Sequence, residues 1–312
     1  MKILLHFDAT DALAAKARAA CASFELACCP ESSDTAFDAE IGTTEVLWHS
    51  LKPVTAQVIA RAPELKLIQK IGVGVNTIDI ASARERGIAV CNLPGANSRA
   101  VAEMALLLML ACLRRVRDLD AAVRVQGGWH AVTALQDTFG ELGGRTVGMV
   151  GFGSIPQQLA AWLTAMDVRV VYSSRTARPA PYERLPLPEL LAQSDIVSLH
   201  LPLNDETQRL IGPSSLSLMK PGAILVNTAR GGLVDEAALV DALSSGKLDA
   251  AGLDVFAHEP PPTDHPLLAL PNVITAPHVA WLTQETLDRS LAIMVENVRR
   301  LAAGEALLNR VA

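Results

Sequence analysis

The sequence lacks most of the signals that would place it at a glance. Its 312 residues hold five cysteines, Cys21, Cys28, Cys29, Cys91 and Cys112, an odd number with no Cys-x-x-Cys pair. That signals neither a disulfide framework nor a zinc site, and it fits a reducing cytoplasm. No metal is expected. The formal net charge is −6 and no Lys/Arg cluster stands out, which excludes a nucleic-acid footprint. The longest apolar run, Met104 to Leu113, is ten residues and cannot span a bilayer. The opening Met1–Asp8 is too short and too soon interrupted for a signal peptide. There is no repeat of fixed period and no low-complexity linker.

What is present is length and apolar mass. Half of the residues are apolar, and a chain this long buries about three-quarters of its unfolded surface, so it needs no staple. Two domains are the natural prior. In the first part, Lys2–Phe7, Glu45–Trp48, Leu67–Ile71 and Ile88–Cys91 read as strands, and 9–20 and 55–61 as helices. Cys28-Cys29 read as small core residues at a strand end. A long helix follows from about Ser98 to Gln126, behind Asn97-Ser98 as cap candidates and before Gly127-Gly128. Its first half is apolar nearly all round; its second half is charged. A helix apolar all round must be covered on all sides, which predicts a subunit interface.

The strand–helix rhythm restarts at Thr146. Strands are predicted at 147–150, 169–172, 196–199, 224–227, 250–253 and 273–274, with a helix over 235–245. The last helix begins behind Thr283 and ends at Gly304, with Leu287, Leu291, Met294, Val298 and Leu301 on one stripe. The second sheet is complete before it, so the stripe packs back on the first domain. The fold class that follows is α/β, with two doubly wound parallel sheets. The predicted domains are 1–97 with 282–312, and 98–281.

The middle of the chain holds a glycine turn, Val147-Gly148-Met149-Val150-Gly151-Phe152-Gly153-Ser154-Ile155-Pro156. Strand, tight turn and helix are the elements that seat a pyrophosphate. The first glycine makes the turn, the second admits the backbone, and the helix start offers free N–H groups. Pro156 replaces the third glycine, which is tolerated in a first helical turn but predicts a looser helix–strand contact.

Three loops after late strands carry reactive residues: 227–232 with Arg230, 254–260 with Glu259, and 276–281 with His278. Ligands in open α/β sheets bind at the carboxyl ends of strands, so the three arrive at one rim. Hydride transfer to a ketone builds charge on oxygen, which calls for a proton donor such as histidine. A carboxylate beside it favours the imidazolium, and arginine offers a planar fork for a substrate carboxylate. Singly, each has an ordinary reading: a surface ion pair, a solvated loop residue, a buried histidine. Together, behind a dinucleotide turn, the catalytic reading prevails.

These motifs, taken in order with Ile71-Gly-Val-Gly-Val-Asn-Thr-Ile-Asp79, resemble the D-2-hydroxyacid dehydrogenase family over essentially the whole chain, and its glyoxylate/hydroxypyruvate reductase-like branch in particular. The resemblance implies a dinucleotide-binding domain inserted in a flavodoxin-like substrate domain. It implies Arg230 as substrate binder, His278 as general acid/base and Glu259 as its partner. It implies that Val73, Gly74 and Val75 present N–H groups to the substrate carboxylate, a nest that is a plausible anion site on physical grounds too, and that Ser50 lines the substrate. Gly151, Gly153, Ser154 and Ile155 match the pyrophosphate turn, Leu201, Pro202 and Thr207 the adenosine side, and Thr228, Ala229 and Asp254 the nicotinamide side. The helix over 98–126 is implied as the contact of a homodimer.

Asn76 stands where many members carry Asp, and His49-Ser50 where the phosphoglycerate branch has Arg-Ser, which disfavours phosphoglycerate. Trp48 and His49 either select the substrate's tail or pack beneath it. The second dinucleotide strand ends in Ser173, Ser174, Arg175 and Thr176, with Ser174 where NAD users place an acid. A missing acid beside an arginine favours NADP over NAD. The expected activity is reduction of a small 2-oxo acid. The rivals are a dinucleotide-sensing binding protein on this scaffold and oxidation of phosphite or formate.

Overall fold

Strands with no polar face dominate both sheets, as expected where helices cover each side of a parallel sheet. The computed structural model describes residues 1–125 and 128–312. Within these the chain divides into two units, Met1–Asn97 with Leu282–Ala312, and Ser98–Trp281.

The first unit runs β1 (Lys2–His6), α1 (Asp11–Ala20), β2 (Glu25–Cys29), α2 (Asp34–Ile41), β3 (Val46–His49), α3 (Ala56–Ala60), β4 (Leu67–Lys70), α4 (Ile80–Glu85) and β5 (Ala89–Cys91). All pairings are parallel, in the order β2-β1-β3-β4-β5. This is the flavodoxin-like order, which reverses between β1 and β3. The helices start where they do because Thr10, Ser33, Thr55 and Asp79 each accept an N–H three residues on. Four strands were expected here; β2 is the fifth. It is an edge strand of half-buried residues, and Cys29 at its end is buried while Cys28 is partly so.

The second unit opens with α5 (Ser98–Leu113) and α6 (Val116–Arg124). The expected single helix is therefore two. Arg115 between them takes a left-handed φ of 49°, and its guanidinium binds Asp249 at 2.6 Å. Gly140 caps the freed Leu113 carbonyl at 2.9 Å. Gln126 and Gly127, placed at the helix end by sequence, lie outside the described residues. Asn97 does not act as the expected cap: its Oδ1 is buried with no partner among the described residues. Nor does α5 need a second subunit for most of its apolar surface. Val101, Ala105, Leu108 and Met109 are buried, and the helix packs on α7 (Ser154–Ala165) and on strands of its own sheet.

That sheet comprises β6 (Thr146–Val150), β7 (Arg169–Ser173), β8 (Glu183–Arg184), β9 (Ile196–Leu199), β10 (Ala223–Asn227), β11 (Leu248–Leu253) and β12 (Val273–Thr275). Helices α8 (Leu187–Gln193), α9 (Pro213–Leu218), α10 (Glu236–Ser244) and α11 (Pro266–Ala269) cover it. The order is β12-β11-β10-β9-β6-β7-β8, all parallel. It is a Rossmann sheet with one extra strand, and the order reverses between β6 and β9. The two-residue edge strand β8 has no periodicity to read.

The closing helix α12 (Gln284–Ala303) belongs to the first unit. Thr283 caps its start and Gly304, at φ 71°, ends it. Its buried line is Thr286, Ser290, Met294, Val295, Asn297 and Val298. Leu287, Leu291 and Leu301 of the expected stripe flank that line, half-buried. Asn297 bonds Gln69 of β4 at 2.7 Å, tying the helix to the sheet.

Candidate active site

The turn after β6 is built around a glycine that no other residue could replace. Gly151 has φ 96°, and a Cβ there would lie 2.5 Å from the His200 carbonyl at the end of β9. The two strands at the reversal point can meet only because this side chain is missing. Around Gly153 there is open space, and no side chain caps the start of α7. The first-turn N–H groups, at Ser154 and Ile155, are thereby left toward a ligand. Pro156 is buried in that turn, and Leu159, Ala160 and Leu163 behind it are fully buried, so the helix seats tightly without the third glycine.

Across the same rim, β10, β11 and β12 deliver the reactive side chains. Asn227 shapes the first loop: it accepts from Ala229 N at 3.0 Å and donates to the Arg230 carbonyl at 2.8 Å. Gly231 follows, where a Cβ would fall 1.9 Å from the Phe256 backbone. This contact brings the arginine loop against the glutamate loop. Glu259 Oε1 accepts the Phe256 N–H at 3.0 Å, and Oε2 meets His278 Nδ1 at 2.6 Å. Burial alone would raise the Glu259 carboxyl. The His278 hydrogen bond and charge, the Phe256 N–H and the Arg230 charge outweigh it, and hold the acid below its ordinary value. Arg230 is pulled down by burial while Glu259 supports its charge. The structure thus brings Arg230, Glu259 and His278 together.

His278 itself sits at φ 56°, an uncommon place for a side chain this large. Asp254 holds it there. The Asp254 carbonyl takes His278 N at 2.7 Å, and its two carboxylate oxygens take Val279 N and Ala280 N, both at 2.9 Å. Burial pushes the Asp254 carboxyl up, against these bonds. With Nδ1 engaged by Glu259, Nε2 is the ring nitrogen directed away from the carboxylate. Among the described residues it has no hydrogen-bond partner.

The family model described as D-isomer specific 2-hydroxyacid dehydrogenase, NAD binding domain, matches residues 106–280. The glyoxylate reductase of Aeropyrum pernix is 41% identical over 83% of this chain and 79% of its own. The D-3-phosphoglycerate dehydrogenase of Mycobacterium leprae is 42% identical over 83% of this chain. This chain spans only about half, 49%, of that relative's length. Among solved structures, a glyoxylate reductase from Paecilomyes thermophila superposes with a TM-score of 0.85, at 32% identity, over 100% of this chain and 98% of that one. The chain belongs to the D-isomer specific 2-hydroxyacid dehydrogenase family.

A dinucleotide, the group this family binds, fits the residues present. Besides the uncapped start of α7, Thr228 Oγ1 is buried beside the arginine loop with no partner among the described residues, an oxygen a ligand group would satisfy. Of the other cofactor-side residues, Leu201 packs against the turn glycine. Thr207 is occupied in its own turn, donating to the Pro202 carbonyl at 2.7 Å and accepting from Asn204 N at 2.9 Å. After β7, Ser174 Oγ donates to the Thr176 carbonyl at 2.6 Å. Arg175 pairs with Glu206 at 3.0 Å, both well exposed. Arg184 of β8 grips the Ser174 and Arg175 carbonyls at 2.8 and 3.0 Å.

In the first unit, the Val73, Gly74 and Val75 N–H groups donate to no described residue. They follow Gly72 at φ 143°. Three successive unused amides in a turn are what an anion nest requires. Ser50 and His49 are buried, as is Trp48. Trp48 and His49 are thus wholly buried side chains, and His49 meets Lys70 and Thr77 of its own unit. Sequence reasoning assigned no role to Asn227, Gly231 or Lys70; the glycine pair after Arg230 was the signal for Gly231, and nothing local marked the others.

Proposed function

We propose that this member is a reductase of small 2-oxo acids such as glyoxylate or hydroxypyruvate, with NADPH preferred over NADH. The observation that carries the reading is the His278–Glu259 pair, with the ring's second nitrogen directed away from the carboxylate. Bound at the glycine turn, the nicotinamide cofactor supplies the hydride that reduces C2. Arg230 orients the carboxylate and carbonyl through its planar fork. His278 Nε2 delivers a proton to the carbonyl oxygen, and Glu259 holds the imidazolium that does so. The amides of Val73, Gly74 and Val75 receive the carboxylate, and residues 98–281 bind the dinucleotide. Phosphoglycerate fits less well, because His49, where that branch has arginine, is buried and offers no cation to a phosphate.

For the cofactor, Arg175 and the absent acid at Ser174 support NADPH. An acyclic imino acid reductase solved with NADPH and D-Arg is 27% identical with a TM-score of 0.86. A cytoplasmic homodimer completes the reading; the five cysteines are free, and no helix of the described residues is long and apolar enough to cross a membrane.

The deciding experiment is a panel of 2-oxo acids followed by nicotinamide absorbance, with NADPH and NADH in parallel, and with phosphite and formate offered as oxidisable anions together with NADP+ and NAD+. Turnover of glyoxylate or hydroxypyruvate is expected. Turnover of phosphite or formate alone would replace the substrate class. Tight dinucleotide binding with no turnover of any kind would make this a sensing protein.

A further inference from the structure

Beneath the unused amides of the first unit lies a buried ammonium group. Lys70, the last residue of β4, is 4% exposed. Its three N–H donors meet three acceptors: the Ser50 carbonyl, Thr77 Oγ1 at 3.0 Å and His49 Nε2 at 3.3 Å. An ammonium has no lone pair, so His49 Nε2 is the acceptor and its ring proton lies on Nδ1. The ring is then neutral. Its burial first, and the Lys70 charge second, push its titration well below the usual histidine value.

The lysine thereby joins the end of β3 to both ends of the loop over 71–77. The Ile71 N–H bonds the His49 carbonyl at 2.7 Å, and the Thr77 carbonyl takes Val54 N at 2.8 Å. Between those ends run Val73, Gly74 and Val75. The Gly72 turn passes over the lysine stem, and a Cβ there would sit 3.8 Å from Lys70 Cε. Burying an ammonium is costly, and a methionine would fill the space without that cost. Something other than packing must favour a cation with three directed donors.

We propose that Lys70 is a positioning residue for the substrate carboxylate: it fixes the 71–77 loop against the end of β3, so that the amides of Val73–Val75 converge before substrate arrives. The proposal rests on the 2-oxo acid reading. Lys70→Met removes all three ties, and Thr77→Val removes one at nearly constant volume. Each is compared with wild type for kcat and KM toward glyoxylate, nucleotide affinity by fluorescence, and amide exchange over 71–77. Lys70→Met is expected to raise KM about tenfold or more, and Thr77→Val a few-fold, with kcat held within about twofold. Nucleotide affinity stays unchanged and exchange over 71–77 quickens. A merely structural role would instead depress kcat and nucleotide affinity along with KM. Wild-type KM in both folded variants overturns the proposal, as does unchanged exchange. If Lys70→Met fails to fold, Thr77→Val decides alone. If wild type reduces no 2-oxo acid, the substrate reading falls by itself, and the exchange comparison still decides whether Lys70 holds the loop.

Discussion

His278 is fixed twice, by different neighbours. Asp254 sets its backbone and Glu259 its ring, so orientation and charge can be perturbed separately. His278→Asn keeps the loop but removes the proton donor; kcat should fall about 100-fold or more while nucleotide still binds. Near-normal turnover would end the assignment. Glu259→Gln keeps an acceptor for the ring but removes the charge, so kcat should fall less than in His278→Asn. Glu259 is held below the ordinary carboxylate value of about 4.3, so the pair's contribution is complete above that pH and fades only as pH falls through the depressed value. Arg230→Lys retains charge and loses the fork. Its kcat/KM should drop severely, and wild-type behaviour would show that no bidentate contact exists. The trio was legible because its residue types follow three strand ends in one run. Asp254 was legible only as a site residue, because the amides it binds, at 279 and 280, lie 25 and 26 positions on.

Among the elements, those with local chemistry were readable and those set by tertiary contacts were not. Thr283 and Gly304 mark α12 to the residue because caps are local. The break between α5 and α6 was hidden, since Arg115 is an ordinary helix former whose left-handed turn depends on Asp249, more than a hundred positions on. The edge strand β2 was hidden by weakly strand-forming alanine and cysteine. The loop after β7 shows the same division. Its serines and Arg175 were visible; the clamp from Arg184 and the competing Glu206 were not. A 2′-phosphate must displace Glu206 from Arg175, an exposed pair of small worth. Wild type should show higher kcat/KM with NADPH than NADH, and Arg175→Ala should lose that margin mainly through KM. Glu206→Gln should widen it. An equal or inverted preference in wild type would show the loop misread, whereas a widened margin absent only in Glu206→Gln would remove the competitor and leave the loop.

For the molecule as a whole, two consequences follow from what is buried and what is not. His6 and His200 are pushed down to about 4 and about 3, in both cases chiefly by burial. Both stay neutral in the folded state while the unfolded chain takes up protons near pH 6.5. Stability is therefore full above that pH and declines as pH falls toward 4, each histidine adding a slope of up to about 1.4 kcal/mol per pH unit. Urea midpoints between pH 7 and 5 should fall accordingly, and His200→Gln should flatten the decline; an unchanged slope in that variant would contradict the assignment.

The second consequence concerns α6, none of whose residues is buried. Val116 and Val123, seven positions apart on one face, are 49% and 60% exposed, and Leu107 of α5 is 57% exposed. Arg117, Asp118, Asp120 and Arg124 supply the charged surroundings. A helix with no fully buried side chain draws little stability from packing in its own unit. A second copy related by a two-fold axis would cover the same residues on both chains at once. Light scattering at micromolar concentration should give the mass of a dimer. Val116→Glu with Val123→Glu should give a monomer with an unchanged far-ultraviolet spectrum, since neither side chain is buried in the unit. A monomeric wild type would show that the face is merely tolerated. A dimer that survives both glutamates would place the interface elsewhere on the chain.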